Sequence, residues 1–324
     1  MKTACNVLCV FLVFVFALFS GVATGQSYPN KPIKFVVAYP PGGANDILAR
    51  VVAPRLSERV DQPVIVENKP GADGIIGTEF VAKSAPDGYT LLTGASGQMV
   101  FNTGLRAKLP YDPAKDFIPI TMFYSEPLVF AVHPSVPANS IKELIALAKA
   151  KPGEMFYASA APPFYVATEH FKKLAGVNLV HVPYKGTAQA VIATVAGESS
   201  LVVMTAGSLR SQLRAGKLRA LAVTGAKRDP ANPDIPAMAE SGLAFEGVSW
   251  TGLFAPAGTP SAIIDKLYGE LSIVLTSDSM KERYASLGYG TSVLGISPAE
   301  FETFFRAELV RWTKVIRDLD LRAN

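Results

Sequence analysis

Cysteine is nearly absent from this sequence: Cys5 and Cys9 are the only two, and both lie within the first ten residues. The rest of the chain therefore has neither disulfide bonds nor thiolate metal sites to hold it together. Histidine is almost as scarce, since His133, His170 and His181 lie on separate predicted elements without the spacing of a zinc motif. A packed core must supply the stability, and we predict no bound metal and no cofactor.

Motifs of covalent catalysis are also missing. The segment 94–97 misses the G-x-S-x-G pattern of a hydrolase by one residue, and the neighbours Glu169 and His170 would diverge on a helix. The 31 basic and 27 acidic residues are nearly balanced and form no long run of one sign, which argues against binding to nucleic acid or to a membrane surface. We therefore predict that the protein is not an enzyme. A hydrolase is the second hypothesis.

Long hydrophobic runs are limited to the N-terminus. An apolar run of 13 residues, Val7–Phe19, is followed by small residues that include Ala23 and Gly25. A membrane-spanning helix needs about 20 apolar residues, so this shorter run is typical of a secretory signal peptide. We expect cleavage before Gln26 and a periplasmic mature protein, and an uncleaved membrane anchor is the alternative.

Short apolar runs rich in β-branched residues alternate with stretches of helical spacing along the rest of the chain. Several runs are apolar without alternation, which is typical of strands covered on both faces. The pattern predicts an α/β fold with mainly parallel sheets, in which ligands bind outside the carboxyl ends of the strands. The predicted strands are Ile33–Tyr39, Val64–Glu67, Tyr89–Thr93, Leu128–Val132, Met155–Ala158, Leu179–Val182, Leu201–Met204, Leu218–Val223 and Thr251–Phe254.

A long helix is predicted at the C-terminal end. Ser297 and Glu300 form a capping box, in which each side chain can bond the backbone amide of the other, and Pro298 occupies the first helical position. The apolar stripe of this helix consists of Phe301, Phe304, Phe305, Leu309, Trp312, Val315, Ile316 and Leu319.

The first predicted strand runs directly into the loop Pro40–Asp46 and then into a helix. Gly42 and Gly43 let the backbone approach a ligand closely, and Asn45 or Asp46 can cap the helix. Free amides and the positive end of the helix dipole would then favour a carboxylate or a similar oxyanion. An ordinary tight turn between strand and helix is the alternative interpretation.

The segment Tyr39–Asp46 resembles the P-x-G-G-x-x-D loop of the Bug-type receptors of tripartite tricarboxylate transporters. Other segments resemble the same family, in unbroken order, along nearly the whole chain after the apolar run, and Val180–Gly186 is a strong signature. The remaining matching segments are Gln62–Ala72, Ala85–Leu92, Leu109–Pro113, Lys115–Phe117, Ala215–Thr224 and Gly252–Pro260.

The resemblance implies a two-domain periplasmic binding protein fold, type II-like, in which each domain is a mainly parallel sheet flanked by helices. One domain would comprise residues 26–126 and 251–324 and the other residues 127–250, after a signal peptide at 1–25. A small organic acid, amino acid or related compound would be clamped in the cleft at the hinge. The implied partners are the membrane permease subunits of the transporter, with the receptor itself a monomer. A ligand sensor subunit for a membrane signalling kinase is the alternative.

The resemblance also implies where the ligand contacts lie. The loop Gly42–Asp46 would hold one ligand carboxylate, largely through backbone amides and water. A second wall would follow the strand Tyr89–Thr93, and the other domain would close over the ligand with the ends of its own strands. The residues assigned to the site are Tyr39, Gly42, Gly43, Ala44, Asp46, Ser96, Gln98, Ser159, Ala160, Tyr165, Tyr184 and Thr205.

The segment 158–165 departs from the family, which commonly has a glycine-rich loop here. Pro162 and Pro163 remove two backbone donors, while Phe164 and Tyr165 add aromatic surface. We therefore hypothesise a larger or more apolar ligand, such as an aromatic acid. The alternative is that Phe164 and Tyr165 pack as core residues beneath the loop.

Overall fold

The structure, a computed structural model, describes residues 28–230, 232–287, 289 and 295–322. The predicted signal peptide at 1–25 and its cleavage site before Gln26 lie outside these residues, whereas the predicted strands and the predicted C-terminal helix lie inside them. Within the described ranges, no helix is both long and apolar enough to cross a membrane.

All nine predicted strands are present in the described part of the chain. The central ones are buried along almost their whole length, as expected of apolar runs covered by helices on both faces. Hydrogen bonds join the strands in the order β2-β1-β3-β9-β4-β7-β5-β6, and β8 also pairs with β4. The strands are β1 Ile33–Val37, β2 Val64–Asn68, β3 Thr90–Ala95, β4 Phe117–Val132, β5 Phe156–Ser159, β6 Val180–Pro183, β7 Leu201–Thr205, β8 Arg219–Val223 and β9 Val248–Pro256.

Parallel pairing forms the two ends of this sheet. Strand β1 pairs in parallel with β2 and β3, and strand β5 pairs in parallel with β6 and β7. Every antiparallel pair that the structure describes involves β4 or β9, the two strands that run between the ends. The mixed α/β fold therefore consists of two parallel groups of strands joined by a pair of crossing strands.

Strand β4 is longer than the sequence pattern indicates. Only Leu128–Val132 is predicted, but the strand begins at Phe117. Its first part, through Pro127, pairs with β9, and its last five residues pair with β7 and β8. The pairing register shifts near Pro119 and again near Met122, and such bulges bend a strand and increase its twist.

Helices cover the sheet and connect most of its strands. They include a π-helical turn at Gly97–Phe101 and short 3₁₀ turns at Ala72–Gly74 and Met238–Ser241. The α-helices are α1 Ala44–Val60, α2 Ile75–Ala82, α3 Asn102–Leu105, α4 Ile141–Ala150, α5 Pro162–Ala175, α6 Thr187–Val195, α7 Ala206–Arg214, α8 Ser261–Thr276, α9 Asp278–Leu287 and α10 Pro298–Asp318.

The hydrophobic core is divided along the crossing strands. One cluster of buried side chains lies entirely between Leu128 and Phe245. Two further clusters are built from residues up to Tyr124 and from Trp250 onward, with Val166 of α5 as the one contribution from the other side. Each end of the sheet therefore has its own packed interior, and α5 reaches across to the opposite one.

Helix α10 braces the crossing strands. The predicted capping box is present in full, because Ser297 accepts a hydrogen bond from the Glu300 amide and the Glu300 carboxylate accepts one from the Ser297 amide. A Cβ atom at Gly252 of β9 would lie 2.4 Å from the Phe301 ring. The Phe301 side chain of α10 therefore packs directly on the Gly252 backbone. The helix also packs on the π-helical turn, where the rings of Phe101 and Trp312 lie 4.9 Å apart.

Candidate functional site

The loop between β1 and α1 is an exposed turn with unused backbone donors. Gly42, Gly43 and Ala44 are exposed, and Gly42 has a φ of 82°, in the region that favours glycine. The amides of Gly43, Ala44 and Asn45 have no acceptor among the described residues. These amides lie at the positive end of the α1 dipole, so the turn is suited to an anion.

Asp46 holds this loop in place from below. The residue is only 3 % exposed, and Oδ2 accepts a hydrogen bond from the Gly42 amide at 2.9 Å. Oδ1 accepts further bonds from Arg50 Nε and Asn68 Nδ2, both at 2.9 Å. Burial alone would raise the pKa of Asp46, but these donors outweigh it and lower the pKa below its ordinary value. Asp46 therefore stabilises the loop through its hydrogen bonds. The N-cap of α1 is Gly43 and not Asp46.

A second group of polar side chains follows β3, the parallel neighbour of β1. Thr93, Ser96 and Gln98 are each at least 99 % buried. The hydroxyls of Thr93 and Ser96 and both amide atoms of Gln98 have no hydrogen-bond partner among the described residues. An unpaired buried polar group costs about 1–3 kcal/mol, so these side chains lower the stability of the unliganded fold. The wall that they form is suited to a polar ligand.

Tyr39 connects the two walls. A Cβ atom placed on Gly97 would lie 2.7 Å from the Tyr39 hydroxyl oxygen, and one on Gly74 would lie 3.3 Å from Tyr39 Cζ. The tyrosine ring is therefore packed against two glycine backbones beside Gln98. Burial, with smaller contributions from Tyr111 and Asp73, raises the pKa of Tyr39, so its hydroxyl stays protonated.

On the other side of the crossing strands, Ser159 is hydrogen-bonded to His181. The distance from Ser159 Oγ to His181 Nε2 is 2.7 Å. The imidazole lies between two aromatic rings, with centroid distances of 4.9 Å to Tyr157 and 4.7 Å to Tyr165. Burial lowers the pKa of His181, Glu169 opposes this, and Lys172 adds to it, so the ring is neutral near pH 7. His181 is thus packed against aromatic side chains.

Glu169 is the acidic residue whose charge affects the pKa of His181. Glu169 Oε1 accepts a hydrogen bond from the Tyr157 hydroxyl at 2.5 Å and one from Lys172 Nζ at 2.8 Å. The charges of Glu169 and Lys172 are therefore paired with each other. Sequence reasoning assigned neither His181 nor Glu169 to the site. The available signal was that His181 lies in a predicted strand, Leu179–Val182, within the specific segment Val180–Gly186.

The segment 158–165 begins helix α5 with two prolines. Pro162 and Pro163 occupy the first two helical positions and lack N–H groups. The next two amides, of Phe164 and Tyr165, both point to the Ala161 carbonyl, at 3.1 and 3.2 Å. The start of α5 therefore offers no unused amide at its first four positions, in contrast to α1.

The remaining assigned residues follow the strand ends of the same half. Ala160 and Tyr184 pack against the core of this half, and the Tyr184 amide donates to the Ser159 carbonyl at 2.8 Å. Thr205 ends β7 and bonds to Ser208 at 2.9 Å, close to the crossing strands. Phe164 is a core residue, as its alternative interpretation states, whereas Tyr165 is half-buried and packs on His181.

The predicted site residues all lie at or after the carboxyl ends of parallel strands, but two surface depressions lie elsewhere. One, of about 590 Å³, is lined by residues from Thr103 to Asp116, and the other, of about 480 Å³, lies between Asp112 and the surface of α10 around Val310. Neither includes a predicted site residue. Among the described residues, no group of three His, Cys, Asp or Glu side chains could hold a metal ion.

This chain is strongly similar to several known proteins. The protein BugT of Bordetella pertussis is 35% identical over 314 residues, which are 95% of this chain and 96% of BugT. The structure of R. palustris Rpa4515 with adipate matches with a TM-score of 0.83 at 34% identity, over 91% of this chain and 99% of that one. MatC (Rpa3494) from Rhodopseudomonas palustris with bound malate matches with a TM-score of 0.79 at 30% identity, over 89% and 100%.

The family described as tripartite tricarboxylate transporter family receptor, TctC, matches residues 48–321. This match starts two residues after Asp46 and includes strands β2 to β9 and helix α10. The relatives are covered over almost their full length, and the solved ones have the same mixed α/β architecture. The chain therefore belongs to the TctC family and is a Bug-type solute-binding receptor.

Proposed function

We propose that this receptor binds a small organic carboxylate in the periplasm and delivers it to the membrane subunits of a tripartite tricarboxylate-type transporter. One observation carries the proposal: unused amides at Gly43–Asn45 and unpaired buried side chains at Ser96 and Gln98 follow two hydrogen-bonded parallel strands, β1 and β3. The two sets of donors therefore lie at one edge of the sheet. An acid group docked there would receive hydrogen bonds that the protein itself leaves unmade.

Electrostatics at this edge favours an acid over a neutral compound. The amides of Gly43, Ala44 and Asn45 lie at the positive end of α1. The negative charge of Asp46 is already compensated by Arg50, Asn68 and the Gly42 amide. Adipate in Rpa4515 and malate in MatC are both carboxylates, which supports the same ligand class for this chain.

The clamp itself rests on the proposed domains, residues 26–126 with 251–324 and residues 127–250. Supporting this division, β4 changes its pairing partners after Pro127, and separate cores lie on either side of the crossing strands. Rotation about β4 and β9 would bring Ser159 and Tyr165 toward the Gly42–Asp46 loop. A ligand that touches both sides stabilises the closed form, and the closed form is what a membrane partner would recognise.

An acyl-transfer function is not proposed, although Ser159 and His181 are at the distance of a nucleophile and its base. In a catalytic triad a third group orients the histidine through its other nitrogen. Here no carboxylate among the described residues is hydrogen-bonded to His181 Nδ1, and Glu169 is bonded to Tyr157 and Lys172 instead.

A thermal-shift screen of residues 26–324 tests the proposal. The panel contains carboxylic acids, each with its methyl ester, together with amino acids and neutral compounds. We expect an acid to raise the melting temperature in a concentration-dependent manner, since a ligand of the folded state stabilises it by mass action, and we expect its ester not to do so. Stabilisation by esters and acids alike would contradict the carboxylate assignment.

A further inference from the structure

The segment Gly43–Asn45, with its unused amides, is called the anion-binding turn. The wall of the proposed cleft that faces this turn differs from it in charge and in hydrogen-bonding groups. In the second half of the sheet, which consists of β5 to β8, β7 and β8 pair with the crossing strand β4, β5 pairs with β7, and β6 lies at the outer edge. The helices that follow β5 and β7, α5 and α7, therefore start opposite the first half. Contact is direct, because a Cβ atom on Gly97 would lie 3.7 Å from Pro163 Cδ.

These two helix starts offer fewer free amides to a second ligand carboxylate than the α1 turn offers to the first. The start of α5 has two prolines and two amides already bonded to the Ala161 carbonyl. The start of α7 is occupied by a carboxylate of the protein itself, because Glu126 accepts a hydrogen bond from the Gly207 amide at 3.2 Å. The first four positions of α5 therefore have no free amide for an anion, and at the α7 start the Gly207 amide is already used by the protein.

The side chains of this wall also carry no unused positive charge near α5. His181 is neutral near pH 7 and shares its Nε2 with Ser159. Lys172 is paired with Glu169 at 2.8 Å. Lys185 is exposed and follows β6, at the outer edge of the sheet. What remains opposite the anion-binding turn is the ring of Tyr165, the face of Pro163 and neutral hydroxyl and amide groups.

We propose that the receptor is selective for monocarboxylates with an uncharged aliphatic or aromatic end, and that Pro162 and Pro163 exclude the corresponding dicarboxylates. The inference rests on the proposed function, since it assumes that the Gly43–Asn45 amides bind the acid group. A second carboxylate would be buried beside an α5 start without free amides and without an unused positive charge nearby, and a poorly compensated buried charge is unfavourable. The apolar end would instead lie against Tyr165 and Pro163.

Two matched pairs of probes test the selectivity by titration calorimetry: hexanoate with adipate, and 4-methylbenzoate with terephthalate. Each pair shares its skeleton and differs by one carboxylate. We expect at least one monocarboxylate to bind and its dicarboxylate partner to bind about tenfold or more weakly. Equal or tighter binding of the dicarboxylates overturns the inference and leaves the proposed function intact. Failure of both monocarboxylates to bind at millimolar concentration also overturns it, whereas equal binding of their methyl esters contradicts the proposed function itself.

A variant distinguishes exclusion at the α5 start from exclusion elsewhere. The double substitution Pro162→Ser and Pro163→Gly restores two backbone donors. We expect it to lower the ratio of monocarboxylate affinity to dicarboxylate affinity by about tenfold. Pro298→Ala is the matched control, because it removes a proline from the same position of α10, away from the cleft. An unchanged preference in the double variant, with the fold intact by circular dichroism, overturns the role of the two prolines.

Discussion

Glu126 of β4 accepts a hydrogen bond from the amide of Gly207 in α7, with 3.2 Å between Glu126 Oε1 and the Gly207 nitrogen. Glu126 is only 1 % exposed and also accepts a hydrogen bond from the Tyr124 hydroxyl. It lies one residue before Pro127, where β4 changes its pairing partners. A single buried carboxylate therefore ties the crossing strand to a helix of the second half.

This carboxylate should make the stability of the receptor depend on pH. Burial is the main cause that raises the pKa of Glu126, from 4.5 to about 7; Tyr124, Gly207 and Arg210 oppose the increase, and Asp229 adds to it. The folded state therefore binds a proton more tightly than the unfolded state, and stability falls as the pH rises from about 4.5 to about 7.

Glu126→Gln removes this dependence. A shift of this size corresponds to about 3 kcal/mol, so we expect the variant to be more stable than the parent by up to about that amount at pH 8, with little difference below pH 5. Urea denaturation of both proteins at the two pH values measures the difference, and the titration of all shared groups cancels. The same stability difference at both pH values would show that Glu126 does not titrate in this window.

The anion-binding turn can be tested by deleting one of its donors. Ala44 is the first residue of α1 and its amide has no acceptor among the described residues, while Gly43 before it is extended at φ −76° and ψ 167°. Proline is favoured at such a position, and an extended residue tolerates a following proline. Ala44→Pro should therefore keep the stability of the protein.

Ligand binding should respond differently to this substitution. The loss of one amide donor to a carboxylate costs about 1.5–3 kcal/mol, so we expect affinity for the acid to fall by about tenfold to a hundredfold. Ala44→Ser, which keeps the amide, is the matched control and should bind normally. Full affinity in Ala44→Pro, measured by calorimetry with the same acid, would contradict the assignment of this turn.

At Gln98 we expect a trade-off between the stability of the unliganded protein and its affinity for the ligand. Both of its side-chain amide atoms are buried without a partner in the described part of the chain. Gln98→Met keeps the approximate shape and removes the unpaired atoms, so we expect the unliganded protein to be stabilised by about 1–3 kcal/mol and ligand affinity to fall. The exposed Gln189→Met serves as the control and should alter neither property. Destabilisation of the unliganded Gln98→Met protein would show that the amide has a structural role.

Local sequence patterns predict much of this fold. The strands from Ile33 to Phe254 and the capping box at Ser297 are confirmed because apolar periodicity and cap chemistry act over a few residues. The first part of β4 was missed, since Pro119, Pro127 and its polar residues break the pattern of a strand. Its pairing with β9 is fixed by contacts more than a hundred residues apart along the chain.

The candidate site is predictable only in outline, for the same reason. The Gly42–Asp46 loop stands out because glycines and a helix start are adjacent in sequence. The contact of Ser159 with His181 depends on the parallel register of β5 with β6, which no local pattern specifies. The role of Glu126 depends on a helix start eighty-one residues later in the chain. Such pairings follow from the tertiary fold and not from the residues around them.

The packing of Tyr39 against Gly97 gives a test of the link between the two walls. A Cβ atom on Gly97 would lie 2.7 Å from the Tyr39 hydroxyl oxygen but 3.9 Å from Cζ of the same ring. Gly97→Ala should therefore displace Tyr39 and weaken ligand binding. Tyr39→Phe removes the clashing oxygen, so the double variant should be less impaired than the sum of the two single changes predicts.

A double-mutant cycle on ligand affinity measures this coupling. Residues in contact typically show interaction energies of about 0.5–3 kcal/mol, and we expect a favourable value within this range for Gly97→Ala with Tyr39→Phe. Gly186→Ala, where an added Cβ meets nothing within 4 Å, is the control and should show no coupling to Tyr39→Phe. Strictly additive effects of the first pair would mean that Gly97 is not required for the position of Tyr39, and the two walls of the cleft would then be set independently.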